Sequence, residues 1–161
     1  FFALNSNSGS YATQIEYLKK AIQNTNPEWI IVTMHYSMFS AGPHSDEEKI
    51  LNLRKVYNEA FSELDVDLVL SGHDHLKGMK STGNASGLKK QGETLYLSGT
   101  SSTGSKFYEK ESGKKGYIAF YDGETEKTPL ISAITIQGKT LTIKTVRTTD
   151  MSVFDEITIR K

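Results

Sequence analysis

A chain of 161 residues, 37% hydrophobic and 24% charged, is long enough to bury one domain-sized core and is ordinary in composition for a globular protein. Its formal net charge of zero excludes the basic excess that drives nucleic-acid binding, and no apolar run approaches the roughly 20 residues that span a bilayer. Cysteine is absent, which excludes disulfides, thiolate metal sites and a cysteine nucleophile, so any metal site must use histidine and oxygen ligands.

The opening Phe1-Phe2-Ala3-Leu4 is apolar from the first residue and predicts a short buried strand. A natural terminus is usually a polar tail, so the chain reads as a piece of something longer. "NSGS" then supplies turn chemistry. Tyr11, Ile15, Leu18 and Ile22 follow at helical spacing, with Ser10 placed to cap a helix over 11–24. "NTNPE" ends it. "WIIVTM", Trp29 to Met34, is the continuous apolar run of a strand covered on both faces, and it delivers His35 just past its end. Residues 36–45 predict a loop, with Ser45 and Glu48 as a capping box for the next helix. Along that helix Ile50, Leu53, Tyr57, Ala60, Phe61 and Leu64 mark one apolar face. "VDLVLSG" predicts another buried strand, followed at once by His73-Asp74-His75. Strand, helix, strand, helix, strand argues for an α/β portion with parallel strands over 1–76.

The remainder, 77–161, reads as a loop-rich antiparallel β portion. Residues 77–93 are polar and glycine-bearing, a long loop; "TLYLSG" and "GYIAFYD" predict strands separated by the Gly/Ser/Lys-rich 100–115. "PLISAITIQGKTLTIKTVRT" alternates on both sides of Gln137-Gly138 as a hairpin does, and "VFDEITIRK" closes with an alternating strand. No repeat or domain-scale linker interrupts the chain.

Open α/β sheets place ligands at the C-terminal ends of their strands. The strands ending near His35 and near His73 and His75 are separated by one helical crossover and are expected to be neighbours, which gathers three imidazoles at one edge. Imidazole is a common ligand of zinc, iron and manganese. His44, in the loop overhanging that edge, is either a substrate-binding or proton-shuttling group or a surface histidine beside Pro43. Asp74, between two candidate ligands, is expected to point away. The lysines near Lys106, interleaved with Glu109 and Glu111, read as a solvated loop, and the Asn84-Ala85-Ser86 sequon carries weight only on a secreted eukaryotic chain. No Walker pattern and no G-x-S-x-G elbow occurs.

"FFALNSN", "QIEYLKKAI", "WIIVTMH" and "SGHDH", in that order, resemble the calcineurin-like metallophosphoesterases, and more closely their purple acid phosphatase branch. The tail "GKTLTIKTVRTTDMSVFDEITI" is similar to the closing strands of bacterial members. The resemblance implies a partial metallophosphoesterase fold, a β-sandwich flanked by helices, and hydrolysis of phosphate-ester substrates by a metal-activated water. It implies two di- or trivalent ions (iron, zinc or manganese), with His35 and His73 on one, His75 on the other, and His44 facing substrate. A secreted or cell-surface setting follows from the same likeness. The family's D-x-H, G-D and G-N-H blocks, which supply carboxylate and Asn ligands, do not occur in residues 1–161. The resemblance therefore implies the C-terminal part of an enzyme. Alone it is expected to hold at most one weakly bound metal, to turn over little substrate, and to pair its bared sheet edge with the missing half or with itself. Ser37 replaces a common Pro, and Leu76-Lys77-Gly78 replaces a usual Tyr and basic residue. Two rival readings stay open: a binding module that keeps the fold without catalysis, and a plain structural domain.

Overall fold

The computed structural model describes residues 1–81, 87–109 and 128–161. The described elements are β1 (Phe2–Ala3), α1 (Tyr11–Thr25), β2 (Ile31–Tyr36), α2 (Glu48–Glu63), β3 (Leu68–Gly72), β4 (Gly78–Ser81), β5 (Gly87–Leu88), β6 (Leu95–Ser98), β7 (Leu130–Gln137), β8 (Thr140–Arg147) and β9 (Val153–Arg160). They build two sheets, one ordered β1-β2-β3-β6-β4 and the other β5-β9-β8-β7.

The apolar runs of β2, β3 and β6 are buried on both faces because each face has its own cover. In-register pairing aligns Val32, Val69 and Tyr96 in one row, and Ile31, Leu68 and Leu95 in the neighbouring row. Successive side chains point to opposite faces of a strand. The first row therefore packs with Leu18 of α1 and Leu53, Tyr57 and Phe61 of α2. The second packs on Leu141, Ile143, Ile157 and Ile159 of the other sheet. The result is a layer of helices, a mixed sheet and a second sheet in which β7, β8 and β9 are antiparallel and β5 joins β9 in parallel, which is the expected α/β (α+β) sandwich flanked by helices.

A charged knot closes the end of the molecule where β3 begins. Asp67 is fully buried, and its Oδ2 accepts the Ile30 N–H at 2.7 Å. Lys89 and Lys161 place their ammonium groups 3.2 and 2.9 Å from Oδ1 as ion pairs. Trp29, the single tryptophan, donates its indole N–H to the Gly138 carbonyl at 2.8 Å and so ties β2 to the β7–β8 turn. None of the helices among the described residues is long and apolar enough to cross a membrane.

Several expectations need correction. Strand β2 begins at Ile31 and runs through His35, so that histidine lies within the strand and not past it. Ser10 stands at the N-cap of α1 but makes no side-chain cap, its hydroxyl pairing with that of Ser8. The Ser45–Glu48 capping box does not form: Glu47 is the N-cap, and Ser45 is buried, giving its carbonyl to Arg54. Within the stretch expected to be loop, β4 forms because it pairs antiparallel to β6, whose ladder groups would otherwise be unsatisfied. β6 itself runs parallel to β3, so the second portion is not wholly antiparallel. The strand expected at 116–122 and the Asn84 sequon lie outside the described residues.

Candidate metal centre

Strands β2 and β3 are parallel neighbours, so their C-terminal ends share one edge. The pairing slips between Thr33 and Tyr36, a bulge that re-aims the end of β2. Past it, Met34 stays buried and His35 is exposed. His35 Nε2 shares a 3.1 Å hydrogen bond with His73 Nδ1.

At the end of β3 the backbone turns back sharply. His73 adopts φ +71 and the Asp74 N–H donates to the Gly72 carbonyl at 2.9 Å, which closes a γ-turn around His73. A positive φ is uncommon for a residue with a Cβ, and His75 repeats it at φ +47. Such strain is held only where the surroundings over-determine it, and it clusters at functional sites. Its effect here is to turn Asp74 inward. Asp74 is 2% exposed and lies against Gly42, where a Cβ would meet its carboxylate at 2.9 Å. The expectation that Asp74 points away is thus overturned, because the alternation of a strand ends at Gly72.

The loop after β2 carries His44 to the same place. Arg54 of α2 holds that loop, donating from Nε to the Met38 carbonyl at 2.8 Å and from Nη2 to the Ser45 carbonyl at 3.0 Å. Among the described residues, His44, His73 and Asp74 each offer a ligand atom, all within 4.8 Å of one another. His44 Nδ1 donates to Glu47 at 2.5 Å and His75 Nδ1 donates to the Lys106 carbonyl at 3.2 Å, so in the neutral rings Nε2 is the lone-pair nitrogen. Orientation of an imidazole by a carboxylate or carbonyl is the usual support of a metal-bound histidine. His73 Nε2 and Asp74 Oδ1 are buried with no hydrogen-bond partner. Orphaned buried polar atoms are costly and rare, and a cation would satisfy both. The donor set, imidazole nitrogen with carboxylate oxygen, suits zinc, iron or manganese.

Burial pushes the His73 imidazole below its ordinary pKa; the Asp74 carboxylate opposes this, and the His44 and His35 rings reinforce it. The hydrogen bond from His44, then that from Lys49, holds the Glu47 carboxyl below its ordinary value. Tyrosines complete the surroundings. The Tyr36 ring lies edge-on to His73 at 4.5 Å, and the Tyr108 ring edge-on to His44 at 5.4 Å and to His75 at 5.8 Å.

The structure thus brings His44, His73 and Asp74 into one group. His35 touches it through His73, and His75 adjoins it across Tyr108. Sequence reasoning named all four histidines but gave no role to Glu47, Arg54, Tyr36 or Tyr108. Glu47, three residues after His44, is the one that spacing offered, since i,i+3 neighbours meet in a helical turn.

No family model and no curated protein matches the chain. Solved structures do. A purple acid phosphatase from yellow lupin (Lupinus luteus) seeds superposes with TM-score 0.76 at 17% identity, over 99% of this chain and 30% of that one. GAP50 of Plasmodium, described as the anchor in the inner membrane complex, superposes with TM-score 0.71 at 16% identity, over 99% of this chain and 49% of that one. At such identities the likeness is one of architecture, and this chain spans less than half of either neighbour's length. With its two sheets and two helices, the chain carries part of the calcineurin-like metallophosphoesterase fold, in the form seen in purple acid phosphatase.

Proposed function

We propose that the chain supplies the histidine side of a metal-dependent phosphoesterase centre that hydrolyses phosphate esters with an activated water. The observation that carries this is that His44, His73 and Asp74 each offer a ligand atom within 4.8 Å of the others, while His73 Nε2 and Asp74 Oδ1 are buried and unpartnered. A bound cation supplies a water of lowered pKa and a counter-charge for phosphoryl oxygens.

In this reading His44, His73 and Asp74 are ligands, and His75 offers Nε2 to a neighbouring ion. His35 bears on His73 as a ligand or as its hydrogen-bond partner. Glu47 and the Lys106 carbonyl fix the tautomers of His44 and His75, which keeps the coordinating nitrogen unprotonated. Turnover belongs to the longer protein that the resemblance implies, together with its carboxylate and Asn ligands. A secreted or cell-surface setting is proposed on that same resemblance.

The decisive measurement is zinc and manganese binding by the purified chain and by its His73→Ala, His44→Ala and Asp74→Asn variants. Binding in the wild type that is lost on replacing His73 supports the proposal. Equal binding in all four proteins overturns it. The likeness to GAP50, which is described as an anchor, favours a second reading: a non-catalytic binding module that keeps the fold. That reading expects no specific metal uptake by the chain or by the longer protein.

A further inference from the structure

Residues 99–109 run from the end of β6 to the histidine edge, and Tyr108 and Lys106 stand where they arrive. One tyrosine ring touches both His44 and His75, which come from different loops. Lys106 is fixed at two points: its carbonyl accepts from His75 Nδ1, and its ammonium lies 4.6 Å from the centroid of the Tyr108 ring. Beside His73 the same pairing recurs, with Lys49 Nζ 4.3 Å from the centroid of Tyr36.

The two lysines differ in one respect. Lys49 is met by the Glu47 carboxylate at 3.0 Å. Lys106 is exposed and has no carboxylate partner among the described residues. A cation–π contact at an exposed ring is weak, so it restrains the ammonium without immobilising it. Among the described residues, Lys106 therefore leaves a positive charge with no carboxylate against it, one ring away from two imidazoles of the candidate centre.

We propose that Lys106, seated on Tyr108, recruits the phosphoryl group of the substrate and selects phosphate monoesters over diesters, an assignment that rests on the phosphoesterase reading above. A monoester carries nearly two negative charges near neutral pH and three terminal oxygens, whereas a diester carries one charge. The attraction of a single ammonium scales with that charge. Lys106 is in this role a binding and specificity residue. Tyr108 is a positioning residue acting through it.

The test is calorimetric titration of the full chain, first with zinc chloride, then with methyl phosphate and with dimethyl phosphate. The zinc-loaded wild type is expected to prefer methyl phosphate. Lys106→Gln should weaken methyl phosphate roughly tenfold, the scale of one charge-assisted hydrogen bond, and dimethyl phosphate only about threefold, half that free energy for half the charge, while leaving zinc nearly unchanged. Tyr108→Ala should reproduce that loss and Tyr108→Phe, which keeps the ring, should restore wild-type behaviour. Equal losses for both esters, or none in Lys106→Gln, overturn the inference and leave the metal reading standing. If the wild type takes up no zinc, the metal reading fails by itself. Methyl phosphate binding to the metal-free chain that depends on Lys106 would then still uphold the inference, and its absence would refute it.

Discussion

Replacing Gly42 by alanine is a sharp probe of the proposed centre, because it displaces Asp74 without replacing any of the proposed ligands. Gly42 has no positive φ, so its backbone accepts alanine and only space is at issue. The new methyl would stand 2.9 Å from both Cγ and Oδ2 of Asp74, and 3.0 Å from its Cβ. Asp74 is 2% exposed and follows a residue already in a strained turn, so it has little room to retreat. Overpacking of this kind costs about 1–3 kcal/mol. For a chain of this size a loss of about 2 kcal/mol lowers the melting temperature by roughly 4–8 °C. Displacing the carboxylate should also weaken zinc by roughly 10–100-fold, the range found when groups that support a metal ligand are disturbed. Thermal melts and competition with a chelating dye report the two effects separately. Gly9→Ala is the control, since a Cβ there meets nothing within 4 Å. Wild-type zinc affinity in both Gly42→Ala and Asp74→Asn would refute the placement of Asp74 in the centre.

Three further outcomes are expected. Asp67→Ala should destabilise the fold by about 3–5 kcal/mol in urea unfolding, because it strands the buried Ile30 N–H and leaves Lys89 to Asp65 and Lys161 to the Glu28 carbonyl. Asp67→Asn, which keeps an acceptor, should lose less, and a loss under about 1 kcal/mol in Asp67→Ala would contradict the ion-pair account. Burial opposes ionisation of Asp65, but the Lys89 ammonium and the Gly92 N–H outweigh it and hold the carboxyl below its ordinary 3.8. A depressed folded value means stability present above 3.8 and lost as pH falls through the lowered value, so Asp65→Asn should flatten the acid limb of a stability profile. Finally, β1 has no partner on its outer side among the described residues, and the isolated chain should self-associate there on gel filtration; a monodisperse monomer would count against it.

Much of the first sheet was legible because burial on both faces writes continuous apolar runs. "WIIVTM" and "VDLVLSG" each locate a strand to within two residues, and one crossover helix makes them neighbours. The hairpin was equally plain, since Gly138 takes φ +52 in a two-residue turn between alternating strands. Less legible was anything decided by a distant partner. β4 has no strand-like sequence and exists because β6 has an edge to cover. Ser10 and Ser45 sit where caps belong, yet the Ser10 hydroxyl turns to its neighbour Ser8, and Ser45 is drawn inside with its carbonyl on Arg54. At the site, the H-x-H pattern leads one to expect the residue between two candidate ligands to point away. The γ-turn at His73 instead turns Asp74 in, and no local signal announces it. His44 is left open by its sequence between surface and site, and what holds it beside His73 is the Glu47 carboxylate and Arg54 gripping its loop.

The knot at Asp67 also sets an order of events during biosynthesis. The carboxylate enters the chain at residue 67, but its cations arrive only with residues 89 and 161. A growing polypeptide would therefore carry a strand that cannot be sealed inside without enclosing an unbalanced anion. Final closure of the sandwich awaits translation through the sequence's last lysine. Until then the nascent product should present its inter-sheet face to chaperones and proteases.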